Sequence, residues 1–189
     1  EDGRPLTVNA AEIAASRHAK IACSQCHTEV QASLTRPCAK ITAKVDCSSC
    51  HAAIGEEFMG GTHGVLAARS DPNGPTCKEC HGTHGTKGKL DPRSPTFRLN
   101  VPDLCARCHR EGEKAAVRYT GAEKDITARY AESIHGRSLI EGGLVVTAMC
   151  TDCHTAHREL PRGDPGSSVH PGKITDTCGR CHHGIADQF

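Results

Sequence analysis

Cysteine and histidine recur in this chain in one fixed arrangement, Cys-X-X-Cys-His, which occurs six times in 189 residues. Two thiols at this spacing can form thioether bonds with the two vinyl groups of one porphyrin, and the imidazole that follows then lies under the iron. The pattern is typical of c-type haem attachment, so six motifs predict six covalently bound haems. Numbered 1 to 6 in chain order, the sites are Cys23/Cys26/His27, Cys47/Cys50/His51, Cys77/Cys80/His81, Cys105/Cys108/His109, Cys150/Cys153/His154 and Cys178/Cys181/His182.

Structural zinc and a disulfide framework are the two alternatives for a chain with 13 cysteines. Paired Cys-X-X-Cys motifs bind zinc through four thiolates, and small secreted scaffolds are often held together by disulfides. Neither alternative requires a histidine directly after the second cysteine of all six motifs. Cys38 belongs to no motif, and we interpret it as a buried free thiol.

Seven histidines remain after the six proximal ones, and we expect five of them to be distal iron ligands. His84 and His157 follow a proximal histidine by three positions, too close to fold back over the same porphyrin, so each should bind a neighbouring haem. His63 and His135 each precede a glycine, which lets the backbone pass close to a porphyrin edge. His18 is expected at the end of a helix shortly before site 1.

The sixth distal ligand is left open by the sequence. Residues 182–189 resemble 51–58, but no counterpart of His63 follows them, so site 6 is expected to lack a ligand from its own segment. A histidine of another chain could serve, with His18 as the natural donor, and such a head-to-tail contact would build open filaments. The candidates within the chain are His170, His183, Met59 and Met149.

The elements that position these sites are expected to be short. Three Phe, two Tyr and no Trp cannot fill the core of a chain of this length, so the porphyrins themselves must supply it. With 19 Gly and 10 Pro, we expect mostly coil with short α-helices, little or no β-structure, and a largely unfolded apoprotein.

Two helices can be recognised from their start signals. Asn9 can cap a helix from Ala10 towards the first spare histidine, with Glu12 returning a hydrogen bond in a capping box. A second helix should begin near Asp125 and end at Gly136.

An internal repeat organises the second half of the chain. Residues 77–109 match 150–182, and each copy holds two haem motifs joined by an Asp-Pro loop. We therefore interpret residues 1–189 as a single hexahaem domain that contains this repeat.

Charge and hydropathy bear on partners and location. The formal net charge is +1, and the haem propionates would bring the net charge of the oxidised holoprotein to about −5. The sequence has no basic stripe of the kind that binds nucleic acid. No apolar stretch is long enough to span a membrane, and Glu1 is interpreted as the start of a processed or trimmed protein. Because c-type haem is attached after export, we expect a periplasmic or extracellular location.

Two segments strengthen these expectations by resemblance. Cys-His-Gly-Thr-His-Gly at 80–85 and Tyr-Ala-Glu-Ser-Ile-His-Gly at 130–136 resemble segments of multihaem c-type cytochromes from metal-respiring bacteria. That resemblance implies low-potential bis-histidine haems stacked into an electron wire for anaerobic respiration, polymerised in some members into extracellular filaments.

The sequence therefore predicts an electron carrier that serves redox partner proteins or an extracellular electron acceptor. The alternative is a multihaem oxidoreductase with one five-coordinate iron and acid-base groups beside it. Every motif ends in histidine, and spare histidines outnumber irons by one, so we favour a carrier without catalytic residues.

Overall fold

A computed structural model describes residues 8–30, 41 and 43–188, a part of the chain that includes every histidine but not Cys38. Helices and turns make up this part, and none of its residues forms a strand, which confirms the predicted fold class. The α-helices are α1 (Ala10–Ala14), α2 (Cys23–Cys26), α3 (Ala52–Met59), α4 (Thr62–Ala68), α5 (Cys77–His81), α6 (Val101–His109), α7 (Lys114–Arg118), α8 (Ile126–Glu132), α9 (Ile134–Ile140), α10 (Cys150–His154), α11 (Ile174–Gly179) and α12 (His183–Ala186). Short 3-10 helices span Cys47–Ser49, Arg98–Asn100 and Pro171–Lys173. Within the described residues, no helix has the length and apolarity of a membrane span.

Each haem motif begins in a helical turn. Sites 1, 3 and 5 coincide with α2, α5 and α10, and site 4 forms the end of α6. Residues three apart are neighbours on a helix surface, so the two thiols of such a motif face the same side. The local fold therefore presents each of these cysteine pairs to one plane, as a porphyrin with two vinyl groups requires.

Sites 2 and 6 differ because their second cysteines lie beyond the helix in which the motif begins. Cys50 follows a 3-10 helix and Cys181 lies two residues after the end of α11. Hydrogen bonds still close the turn in both motifs: the Cys50 amide donates to the Cys47 carbonyl at 3.3 Å, and the Cys181 amide to the Cys178 carbonyl at 3.2 Å. The two thiols of each pair are therefore held by a single turn rather than by a continuing helix.

Two tight helix corners carry the histidines that precede glycine. At the corner of α3 and α4, a Cβ on Gly64 would lie 2.0 Å from the Phe58 carbonyl oxygen; at the corner of α8 and α9, one on Gly136 would lie 1.9 Å from that of Tyr130. Glycine is required here because one helix start packs against the end of the preceding helix. This packing role is separate from the interpretation from sequence, a glycine that admits a porphyrin edge, which stays a prediction.

The predicted helix starts are correct, but both helices end early. Asn9 Oδ1 accepts a hydrogen bond from the Ala11 amide, and Asp125 caps α8 in the same way. The capping box of Glu12 does not form, and its carboxylate packs against Gly85 instead. Ser133 ends α8 and caps α9 through a bond from the Gly136 amide, so Gly136 lies inside a second helix rather than ending the first.

The two copies of the repeat fold alike between their haem motifs. Ser94 and Ser167 are the buried polar side chains of the described residues, and each occupies the turn after the Asp-Pro pair. Their hydroxyls donate to the carbonyl oxygens seven residues earlier, those of Lys87 at 3.4 Å and Leu160 at 3.0 Å. A 3-10 turn and a helix with the next motif follow in both copies.

The described part of the polypeptide has almost no apolar core of its own. Its buried apolar side chains are those of Val101, Pro102, Ala116 and Leu139. A compact monomer of 20.1 kDa exposes about 8,700 Å² by the usual scaling with mass. This polypeptide exposes 13655 Å², so it needs large apolar groups to cover its surfaces, as porphyrins would.

Candidate haem-binding sites

The histidines of the chain converge in pairs. Five of the six proximal histidines face one of the histidines expected to be distal, and all five expected histidines take part. The ring centroids are separated by 6.2 Å in His18–His51, 6.0 Å in His27–His84, 6.1 Å in His63–His109, 6.1 Å in His81–His157 and 6.0 Å in His135–His182.

This separation fits an iron atom held between two imidazoles. A histidine nitrogen binds a metal at about 2 Å and lies about 1 Å from its ring centre, so the two centroids come about 6 Å apart. Rings in van der Waals contact would be closer. Burial lowers the pKa of His81 and His109, with the facing His157 and His63 adding to the effect, and favours the neutral imidazole that binds metals.

The motif cysteines are free thiols, but their exposure divides the chain. At sites 1, 2 and 6 both cysteines are exposed, and this group includes Cys50 and Cys181, the two that lie beyond a helix. At sites 4 and 5 both cysteines are half-buried, and at site 3 only Cys80 is. Attachment of a haem at each of the six sites stays a prediction from the motifs.

The paired histidines follow a rule of direction along the chain. Sites 2, 4 and 6 face a histidine that precedes their motif, whereas sites 1 and 3 face His84 and His157, which follow the motif two further on. A motif's own segment therefore never supplies the facing imidazole, in agreement with the expectation for these two histidines. Among the described residues, no three His, Cys, Asp or Glu side chains group closely enough to hold a metal ion.

Site 5 differs from the others. His154 is the proximal histidine outside the five pairs, although all histidines lie in the described residues. His170 Nδ1 accepts a hydrogen bond from the Gly172 amide at 3.1 Å and caps a 3-10 helix, so its Nε2 carries the proton. His183 begins α12 and is exposed.

The structure corrects two expectations about the sixth ligand. Site 6 was expected to take its sixth ligand from His170, His183 or another chain, but His182 lies opposite His135, and the site without a facing imidazole is site 5. His18, the natural donor if another chain served site 6, faces His51 of its own chain. The similarity of 182–189 to 51–58 was misleading because α9, far upstream, supplies the imidazole.

Neighbouring sites lie close together in the order of the chain. Partial burial of the Cys47 thiol at site 2 raises its pKa, and the thiols of Cys77 at site 3 and Cys26 at site 1 raise it further. At the other end of the chain, burial and then the nearby Cys178 of site 6 raise the pKa of Cys153 at site 5.

The cysteines of sites 3, 4 and 5 also lie close to those of the next site along the chain. Burial, then Glu159 and Cys108 of site 4, raise the pKa of Cys80 at site 3. Contact with Cys150 of site 5, together with burial, raises the pKa of Cys105 at site 4. Each site therefore has the next one as a neighbour, from site 1 to site 6.

A cleft of about 390 Å³ lies between sites 5 and 6. Hydrogen bonds from Ser168 to the Cys153 carbonyl and from Thr177 to the Ser168 carbonyl hold its walls together. Its lining holds more basic than acidic side chains: Arg158, Lys173, Arg180 and Asp176. Such a lining fits the propionates of a haem attached nearby.

Three carboxylates near these sites were not recognised from sequence. Arg98 of the first copy binds Asp152 of the second at 2.7 Å, and burial of Asp152 opposes but does not cancel the fall in pKa that this bond causes. Glu159 Oε2 lies 3.3 Å from His63 Nδ1, and Glu57 Oε2 lies 3.9 Å from His157 Nδ1. No sequence signal marks them, because each meets its partner across a long loop.

Comparison with known proteins gives one match. Residues 63–114, which contain sites 3 and 4, match the family model described as the doubled CXXCH motif. The match indicates covalently bound haem c and similarity to multihaem c-type cytochromes. No curated protein and no solved structure matches the chain.

Proposed function

We propose that this protein transfers electrons through six covalently bound c-type haems, five of them coordinated by two histidines. The observation that supports this function is the set of imidazole pairs with centroids 6.0 to 6.2 Å apart. Two imidazoles leave no open position on an iron, and histidine in place of methionine lowers the reduction potential. Sites of this kind suit low-potential electron transfer rather than catalysis.

The order of the sites supports a continuous path. When bound, each haem supplies a one-electron redox centre, and the chain's own residues hold and space these centres. Thiols of consecutive sites neighbour one another from site 1 to site 6. An electron that enters at one end could therefore cross the whole molecule in short steps.

The proposed setting is outside the cytoplasmic membrane. Domains of c-type cytochromes are typically exported, so we place the protein in the periplasm or the extracellular space. The resemblance to cytochromes of metal-respiring bacteria supports a role in anaerobic respiration. Redox proteins or an extracellular electron acceptor would be its partners.

Spectroscopy of the oxidised holoprotein tests this function. Mass spectrometry should show six covalent haems, and low-temperature electron paramagnetic resonance should show five low-spin haems with bis-imidazole signals. Fewer than six haems, or more than one high-spin haem in each chain, would contradict the proposal.

Site 5 favours a second role, assembly through a shared ligand. Among the histidines, all of which lie in the described residues, none presents an imidazole that faces His154. We propose that a second copy supplies it through His183, which is exposed and outside the pairs. Such a contact joins different surfaces of the two copies and extends into a filament unless it closes into a ring.

Dilution distinguishes this assembly from an open catalytic iron. If His183 of a neighbouring copy binds site 5, one high-spin haem should appear as light scattering reports dissociation, and His183→Ala should produce it at any concentration. A high-spin haem that persists in assembled protein and binds cyanide would support an oxidoreductase instead. Six low-spin haems in the monomer would contradict both roles.

A further inference from the structure

Glu159 holds a buried carboxylate oxygen against the imidazole that faces site 4. Its Oε2 lies 3.3 Å from His63 Nδ1 and is fully buried, although 23% of the side chain is exposed. Among the described residues this oxygen accepts no hydrogen bond of ordinary geometry. If His63 binds iron through Nε2, its Nδ1 carries the proton, so the carboxylate faces an N–H donor.

The backbone keeps these two side chains together. The Thr62 amide donates to the Glu159 carbonyl at 2.8 Å, one residue before His63. Gly61 is buried, and a Cβ there would lie 3.0 Å from the Arg158 Cα. The start of α4 is therefore pressed against the segment that carries Glu159, and the contact does not depend on a flexible surface side chain.

The chain contains a second backbone junction of this kind, with a neutral residue at the position of Glu159. In the first copy, the Arg17 amide donates to the Thr86 carbonyl at 2.8 Å, one residue before His18. Thr86 is the counterpart of Glu159 in the internal repeat, and its hydroxyl donates to the Thr83 carbonyl. The two junctions thus share a backbone hydrogen bond, and the repeat position that holds Glu159 in one of them holds the neutral Thr86 in the other.

We propose that Glu159 sets the reduction potential of the haem at site 4. This inference rests on the proposed ligation by His63. A carboxylate that accepts the Nδ1 proton makes the imidazole a stronger electron donor, and its buried charge favours the more positive, oxidised iron. The haem of site 4 is then harder to reduce than it would be with a neutral residue in place of Glu159. Glu159 acts through His63 and is a positioning residue rather than an iron ligand.

Glu159→Gln in the holoprotein is the first test. Redox titration followed by electron paramagnetic resonance should show that the equilibrium constant for reduction of one low-spin haem rises about tenfold. This corresponds to an increase of about 59 mV in its reduction potential for one electron. The affected signal should be the one that His63→Ala removes. Glu56→Gln is the matched control, because Glu56 is an exposed carboxylate of α3, and its loss should move no signal by that amount.

Thr86→Glu is the reciprocal test and does not depend on the stability of the Glu159 variant. It should lower, by a similar factor, the equilibrium constant for reduction of the haem whose signal His18→Ala removes. If His63→Ala leaves all haems low-spin, the proposed ligation is wrong. If His63→Ala converts one haem but neither carboxylate variant moves its own signal, the ligation stands and the role of Glu159 is wrong.

Discussion

The two copies of the repeat, residues 77–109 and 150–182, share a backbone framework but differ in what faces their proximal histidines. In the first copy, His81 and His109 each lie opposite an imidazole. In the second copy only His182 does, and His154 has no such partner. The repeat therefore reproduces the haem-attachment motifs but not the imidazoles that face them.

The difference arises because every facing imidazole comes from another part of the chain. Helix α4 supplies one imidazole to the first copy, and helix α9 supplies one to the second. The second copy also supplies His157 to the first, and nothing returns the contact to His154. A unit that is duplicated in sequence can thus be unequal in chemistry when its ligands are exchanged between units.

The largest effect is expected when haem is not attached, because both copies should then fail to fold. Protein made without haem attachment should show little helix by circular dichroism, because Val101, Pro102, Ala116 and Leu139 are too few to hold the described residues together. Expression in cells that lack the haem-attachment machinery provides the sample. A compact apoprotein with a cooperative melting transition would contradict the claim that porphyrins supply the core.

Loss of one facing imidazole should affect one haem in either copy. His63→Ala should convert the haem of site 4 to high spin, and His135→Ala that of site 6, while mass spectrometry still finds six haems. His170→Ala is the control, because its imidazole caps a 3-10 helix and faces no proximal histidine. An unchanged spectrum for either of the first two variants would refute the pairing at that site.

The shared framework predicts similar losses of stability in the two copies. Ser94→Ala and Ser167→Ala each remove a buried hydroxyl that bonds a loop carbonyl, which should lower the free energy of unfolding by about 1–2 kcal/mol. Guanidinium titration of the holoproteins measures this loss, with exposed Thr175→Ala as a control. A loss confined to one copy would show that the two turns are not energetically equivalent.

The smallest expected effect depends on pH. Burial would raise the pKa of Asp152, but bonds from Arg98 and the Met149 amide lower it below its usual 3.8, so the ionised carboxylate stabilises the fold. This stability is present above pH 3.8 and is lost as pH falls through the lower pKa of the folded state. Asp152→Asn should cost about 1 kcal/mol at pH 7, a value reduced for the exposure of the pair, and progressively less as the pH falls through the pKa that this carboxyl has in the folded state.

The first copy provides the comparison for that measurement. Glu79 occupies the position of Asp152 and accepts a hydrogen bond from the Thr76 amide, but no arginine is paired with it in the described residues. Glu79→Gln should therefore cost less than Asp152→Asn at pH 7 in the same denaturant titration. Equal costs would mean that Arg98 adds nothing to the link between the copies.

Local features of this molecule could be predicted from its sequence. The absence of strands from the described residues follows from frequent glycine, proline and haem motifs, and the starts of α1 and α8 follow from Asn9 and Asp125. These features depend on residues a few positions apart. The haem motifs could be recognised for the same reason, because each motif is formed by residues a few positions apart.

Features that depend on distant contacts could not be predicted. The partner of each histidine is set by packing across long loops. The sequence therefore named the five facing histidines but left the sixth ligand open at site 6, whereas the site without a facing imidazole is site 5. The break at Ser133 was missed because a regular apolar spacing continues through it. Glu159 belongs to no motif that could be recognised in the sequence, and it reaches His63 only because α4 packs against its segment.

The direction of the histidine pairs has a consequence for how the holoprotein matures. A chain that emerges from its N-terminus brings out His18, His63 and His135 before the motifs they face, so sites 2, 4 and 6 can close as soon as haem is attached. Sites 1 and 3 must wait for His84 and His157. Maturation should therefore alternate along the chain, with odd-numbered haems passing through a longer-lived, incompletely ligated stage than the even-numbered haems beside them.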